Sequence, residues 1–430
     1  MLAHSPPLPL VFDYNVPDTH NFNFCAEEKD EIIHALKQRT RVRRIRFKIL
    51  VSNLPDFITS IDGEYPMLEY LIVNPPLADN RTALTLPETL RAPRLRHLLL
   101  SRFALPIESR LFPTTVALVT LTLFMGYPST DFKPNIFLQW LALMPQLEEL
   151  SVLILLPVPV EDVESQHMRT PIMTHVTLPN LRLFDFHGDS TFEEALVRRM
   201  ITPHLERLCF WFIEQPTFSV PNLLHFMNTM RHLKFDNVKI TFYIAHIFVE
   251  VTAGSSYVFS IAVYCAPLDF QVSSVTQIFD SIGQIFSTVE SLSLGYEFYV
   301  EQNVFDRTEW RRLLRPFSNL KTLHIDEELV EGASHCLRPD DGENPLGLFP
   351  ELQELTYSGR SDTGDAFTSF IDARQSAGRP VTLVFEPSPR LRPLVTRAES
   401  GQASLDSSSS VTWNSEVAEA GTWAGTDPDN

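Results

Sequence analysis

Glycine is scarce in this chain, with 15 residues in 430 against 32 prolines. No Gly-x-Gly-x-x-Gly or Gly-x-x-x-x-Gly-Lys phrase is present, and no His-Glu-x-x-His. Those absences argue against nucleotide-binding enzymes and zinc proteases of the common kinds. Cysteine is equally sparse. Cys25, Cys209, Cys265 and Cys336 are far apart, which excludes a zinc ribbon or a dithiol motif and suits a reducing compartment. Positive charge is in deficit, with 35 Lys+Arg against 53 Asp+Glu and a net charge of -18, a balance that repels nucleic acid phosphates. Long apolar runs are missing too. The strongest, around Val152 to Val160, is broken by Pro157 and Pro159 and is too short for a membrane span. Met1-Leu2-Ala3-His4-Ser5 does not open a signal peptide. The expectation is an intracellular protein, cytoplasmic or nuclear, monomeric, and with neither nucleic acid nor membrane as partner.

What the chain has is a repeat. The phrase reads apolar-x-x-apolar-x-apolar, often with proline just ahead. It occurs as Pro66-Met67-Leu68-Glu69-Tyr70-Leu71, Pro93-Arg94-Leu95-Arg96-His97-Leu98 and Pro145-Gln146-Leu147-Glu148-Glu149-Leu150. Pro179 to Phe186, Pro203 to Leu208, Asn319 to Ile325 and Pro350 to Leu355 repeat it. Weaker copies centre on Ile45, Leu121, Leu233 and Leu292, with another near Ile261. Successive copies lie 23 to 34 residues apart, the period of solenoid repeats built from one strand and a return segment. The last two apolar positions share one strand face, and the first packs beneath the bend.

Several return segments read as helices. Phe137 to Met144 ends at Pro145, and Ser190-Thr191-Phe192-Glu193 looks like a capping box opening a helix through Met200. Asp306 starts another over Trp310 to Leu314. Ser273 or Ser274 would cap Val275 to Phe286, and Asp362 or Thr363 a segment running to Ala377. The fold class expected is α/β: a leucine-rich-repeat-type solenoid with parallel strands on the concave face and helices outside. Residues 1–26 read as irregular. Residues 27–386 form the solenoid, opened by an amphipathic capping helix over Glu27 to Gln38 and closed by a strand at Val381 to Phe385. Residues 387–430, with Ser407-Ser408-Ser409-Ser410 and few apolar groups, read as a disordered tail.

These phrases, with Leu86-Pro87-Glu88-Thr89-Leu90 and Asp306-Arg307-Thr308-Glu309-Trp310, resemble the repeat region of the mushroom-type fungal F-box/leucine-rich-repeat family over about Leu10 to Pro387. The resemblance implies a non-catalytic substrate receptor of a ubiquitin ligase, whose repeats hold a target protein. In that family an N-terminal F-box docks onto a Skp-type adaptor. Here no Leu-Pro-x-Glu phrase opens the N-terminus, and Leu86-Pro87-Glu88 lies between two strand phrases. Docking onto a Skp-type adaptor is therefore not an expectation of this reading. A free-standing scaffold or inhibitor with no ubiquitin link is the alternative.

No catalytic residues, cofactor site or metal site are expected. Gly359-Arg360-Ser361-Asp362-Thr363-Gly364 imitates a nucleophile elbow, but its second glycine comes one residue late, so a capped turn explains it better. Asn80-Arg81-Thr82 is a sequon without a secretory context. The seven basic residues between Lys37 and Lys48 fit solvated flanks of the first strand better than a nucleic-acid patch, because no stacking aromatics are interleaved and the whole chain is acidic. A partner protein would meet the outward residues of the strands. In order these are Arg44, Arg46, Tyr70, His97, Asp185, Arg207, Trp211, His232, Lys234 and His324, accompanied by Glu149, His187, Asp236 and Asp326. Arg207 and Trp211 are the expected anchors, since Arg and Trp lead at interfaces.

Overall fold

Proline followed two residues later by leucine makes the same turn again and again. In Tyr65-Pro66-Met67-Leu68, Ala92-Pro93-Arg94-Leu95, Met144-Pro145-Gln146-Leu147 and Thr202-Pro203-His204-Leu205, the leucine N–H donates to the carbonyl three residues back, at 3.1–3.3 Å. Proline's fixed φ suits the second position of such a turn. Each of these leucines is buried, so the turn plants the first apolar residue under the strand that follows.

The computed structural model describes residues 8–15, 24–49, 53–75, 84–104, 109–125, 133–154, 175–213, 217–228, 235–254, 256–265, 268–297, 306–340, 342–359 and 365–387. Their strands are β1 (Leu10–Asn15), β2 (Val42–Lys48), β3 (Tyr70–Val73), β4 (Leu84–Thr85), β5 (His97–Ser101), β6 (Phe103–Ala104) and β7 (Thr120–Met125). Next come β8 (Glu149–Ile154), β9 (Val176–Thr177), β10 (Leu183–Gly188), β11 (Met200–Ile201), β12 (Arg207–Phe212) and β13 (Asn237–Phe242). The last are β14 (His246–Ala253), β15 (Ser256–Tyr264), β16 (Ser291–Tyr296), β17 (Thr322–Ile325), β18 (Glu354–Gly359) and β19 (Thr382–Pro387). Fifteen form one open sheet in the order β1-β2-β3-β5-β7-β8-β10-β12-β15-β14-β13-β16-β17-β18-β19. β4 with β6, and β9 with β11, make small parallel pairs beside it. The architecture is mixed α/β, with a large, mostly parallel sheet that does not close into a barrel.

A recurring hydrogen bond stitches the repeats together. The carbonyl just before one strand accepts two successive N–H groups from the next phrase. Glu69 O takes Arg96 and His97, Glu148 O takes Arg182 and Leu183, and Lys321 O takes Gln353 and Glu354. Of the twelve phrase centres, eleven fall inside sheet strands; Leu233 lies outside the described residues.

The helices are α1 (Ala26–Leu36), α2 (Leu54–Ser60), α3 (Leu111–Thr114), α4 (Pro134–Leu141) and α5 (Ser190–Val197). They continue with α6 (Pro221–Met227), α7 (Leu268–Ile282), α8 (Arg307–Leu314), α9 (Val330–Leu337) and α10 (Thr368–Ser376). From α4 to α9 each helix touches the next. Their buried faces and one row of every strand from β2 to β18 form a single hydrophobic core. Phe184, Phe186, Leu208 and Phe210 in the middle are fully enclosed. The alternate row of most strands stays largely half-exposed, with Thr241, Ser260, Ala262, Thr356 and Ser358 as buried exceptions, so one side of the sheet is covered and the other is mostly open.

Four expectations need correction. Residues 10–15 are not irregular. Leu10, Phe12 and Tyr14 alternate inward, and the segment adds β1 to the edge of β2 in parallel register. The cap of α5 is Asp189, whose Oδ1 accepts the Thr191 N–H at 2.7 Å. Glu193 is buried in the core instead of reaching back to close a capping box. The helix expected from Val275 begins at Leu268, so Ser273 and Ser274 lie within it, and residues 283–288 tighten into a 3-10 turn. Finally, β13, β14 and β15 form an antiparallel meander inside an otherwise parallel array. Its two turns, around Ile244 and Gly254, reverse the chain without a helix, so β13 skips two places and β15 returns beside β12. The proposed caps Asp362 and Thr363 lie outside the described residues.

Candidate functional site

On the open face, register decides which side chains become neighbours. Arg44, Tyr70 and His97 stand opposite one another on β2, β3 and β5. The Arg44 guanidinium sits 4.4 Å from the Tyr70 ring centroid, and Tyr70 stacks on His97 at 4.5 Å. The column ends where His97 Nδ1 meets Thr120 Oγ1 at 3.2 Å. Burial lowers the His97 pKa, and Arg96 and Arg44 lower it further. Arg46 points the same way, 3.8 Å from Asp13 on β1.

The centre of the face is aromatic. Trp211, half-buried on β12, stacks on His187 of β10 with centroids 5.3 Å apart and planes 5° from parallel. Its other neighbours come from the meander: Phe248 and Tyr264 at 5.7 Å, and His246 at 6.2 Å. Tyr243 stacks on His246 at 4.2 Å. The six rings close around Ala262, which lies between Trp211 and Phe248 in the ladder and is fully buried. Burial lowers the His246 pKa and raises that of Tyr264. At the rim, Ile244 in the turn between β13 and β14 is 56% exposed, and Phe270 in the first turn of α7 is 64% exposed. Gln271 ties that rim together by donating to the carbonyls of Tyr243 and Cys265.

Polar groups fix the rings. Asp185 Oδ1 lies 3.0 Å from His187 Nε2, and Oδ2 accepts the Ser151 hydroxyl at 2.9 Å. Because Ser151 donates to the carboxylate and not to an imidazole, the trio orients His187 and does not activate the serine. Cys209, between Arg207 and Trp211, is pushed up to about 11 by burial and by Asp185, so it remains a thiol.

Towards the C-terminal end the face turns polar. Asp326 accepts the Tyr296 N–H and the Ser358 hydroxyl, both at 3.2 Å, and lies 3.4 Å from His324. Gly295 makes room for that carboxylate: a Cβ there would stand 3.1 Å from Asp326 Oδ2. The hydrogen bond to Asp326 raises the His324 pKa against the effect of burial.

Arg44, Arg46, Tyr70, His97, Asp185, Arg207, Trp211 and His324 therefore all belong to the open row. His232 and Lys234 lie outside the described residues. Asp236 belongs elsewhere. Its carboxylate accepts the Gly254 N–H at 3.0 and 3.2 Å and pins the turn between β14 and β15. Tyr243, His246, Phe248 and Tyr264 were missed, because the turn at Tyr243 and strand β14 carry no repeat phrase and β15 carries only the weak copy near Ile261. The alternation from His246 to Val251 and the turn at Ala253-Gly254 were the available signals.

Among the described residues no group of His, Cys, Asp and Glu is placed to hold a metal ion. None of their helices is long and apolar enough to cross a membrane. Comparison with known proteins finds no protein family and no curated protein that matches the chain.

Proposed function

We propose that this chain is a leucine-rich-repeat-type solenoid that binds another protein on its open face and catalyses no reaction. One observation carries the reading: the Trp211 group, half-exposed in the middle of the sheet. Rings left partly in water at the centre of a face are what a partner can desolvate, and contiguous exposed apolar surface marks interaction sites. The finer reading, a substrate receptor of the F-box/leucine-rich-repeat kind, rests on the repeat phrases. Leu86-Pro87-Glu88 argues for the scaffold alternative, because it lies in the turn between β4 and β5 and not at the start of a helical module.

The test is capture from a lysate of the source organism with the wild-type protein, the Arg207→Ala/Trp211→Ala double variant and an outer-helix control, Asp280→Ala. A partner retained by wild type and control but lost by the double variant supports the reading. Adaptor and cullin subunits among the captured proteins support the ubiquitin link, and their absence favours the scaffold. Equal capture by all three proteins overturns the assignment to the open face.

A further inference from the structure

The meander does more than interrupt the repeat. It brings His246, Phe248 and Tyr264 against Trp211, with Tyr243 stacked on His246, and it brings carboxylates with them. Glu250 lies on β14 two residues beyond Phe248, hence on the same face and about 7 Å along the strand. Asp185 holds His187. Glu297, exposed at the end of β16, lies against Tyr243; burial and this carboxylate together push the tyrosine up to about 12. The basic groups on this stretch are Lys239, opposite Glu250 in the ladder, and Arg207, four residues from Trp211.

We infer that the Trp211 group receives a positively charged segment of the partner, with an arginine or lysine seated on the rings between Asp185, Glu250 and Glu297. This rests on the protein-binding reading above and names the chemistry of what binds. The faces of Trp, Tyr and Phe are electronegative and attract a cation lying within about 6 Å of the ring centroid. Three carboxylates around six rings add Coulomb attraction of the same sign, and the chain's net charge of -18 steers a basic segment towards it. An acidic segment would meet those carboxylates unpaired. A purely apolar one would cover Glu250 and Glu297 without offering either a counter-ion, which is costly. At the opposite end of the face Arg44 lies over Tyr70 and Arg46 beside Asp13, so basic groups stand there and the preference is local to the meander.

The experiment uses the full chain and three fluorescent peptides that share one glycine-serine frame. They carry paired arginines, paired citrullines (the neutral isostere) or paired glutamates. Fluorescence polarisation is expected to show saturable binding of the arginine peptide alone, weakening as salt rises. Trp211→Ala, which leaves the charge unchanged, is expected to weaken that binding roughly ten-fold. Asp185→Asn with Glu250→Gln is expected to do the same while flattening the salt dependence. Circular dichroism confirms that each variant remains folded. Equal binding of the citrulline peptide, indifference to Trp211→Ala, or failure of the arginine peptide to bind each overturns the inference. If a captured protein partner still depends on Trp211 in those cases, the protein-binding reading stands and only the charge preference falls. If the partner is also indifferent to Trp211, both fall.

Discussion

Leucine 208 and tryptophan 211 are three residues apart on β12, yet opposite consequences are expected from losing them. Leu208 is fully enclosed, and the residues directly opposite it are Phe184 on β10 and Phe259 on β15, themselves fully buried. Leu208→Ala removes three carbons from between two rings held by their own strands. The walls can close only partly, so the cost is the lost transfer energy plus a cavity, about 3 kcal/mol within a usual range of roughly 2–5. Trp211→Ala removes a half-exposed ring from the open face. It forfeits the stacking on His187 but opens no internal void, so about 1 kcal/mol or less is expected. Urea denaturation followed by circular dichroism reads both, and stability is compared at equal m because arrays need not unfold in one step. The reversed order, with Trp211→Ala unfolding the chain and Leu208→Ala silent, would refute the reasoning. It would mean that β12 is shifted by one residue and that every inward side chain faces outward.

Glu193 is fully buried, and neither carboxylate oxygen has a hydrogen-bond partner among the described residues. Burial, with repulsion from Glu194 added, raises its pKa well above the usual value. The native state therefore keeps a proton that the unfolded chain gives up. Its contribution to stability is present in acid and lost as pH rises through the native pKa. Glu193→Leu is expected to stabilise the chain more at about pH 8 than at about pH 5, and equal urea midpoint shifts at the two pH values would contradict this. Arg374, fully buried, donates to the carbonyls of Phe349, Pro350 and Leu352 at 2.9–3.2 Å and holds the last turn before β18. Arg374→Ala leaves those acceptors unpaired and is expected to cost about 2–4 kcal/mol by urea denaturation; a loss below about 0.5 kcal/mol, the level of an ordinary surface change, would show that water replaces the guanidinium.

The parallel array was legible because its signal is redundant. A proline turn, a buried leucine and two alternating apolar residues recur at each repeat, and no one copy has to be perfect. The same alternation at Leu10, Phe12 and Tyr14 was overlooked because a first strand needs no preceding phrase. The meander was hidden for a related reason. Its strands are apolar on the inner row like the others, but antiparallel pairing replaces the helical return with short turns, so spacing alone puts phrases at Leu233 and near Ile261 where the chain runs three strands between Asn237 and Tyr264. That error propagates to the site. Trp211 could be placed on the open row from Leu208 and Phe210 alone, whereas the rings that surround it come from residues 243–264, which repeat logic does not reach. Glu193 misled by composition, since a glutamate three residues after a serine normally signals a surface cap, and nothing local reveals that helix packing encloses it.

The central claim is that a protein partner sits on the open face over Trp211. Site-specific photocrosslinking tests it most directly. p-Benzoylphenylalanine placed at position 211 keeps an aromatic ring on the face, and the same group at position 280 reports the exposed outer side of α7. Irradiation with the partner present is expected to give a covalent adduct from position 211 and none from position 280. An adduct from position 280 with none from position 211 would contradict the account.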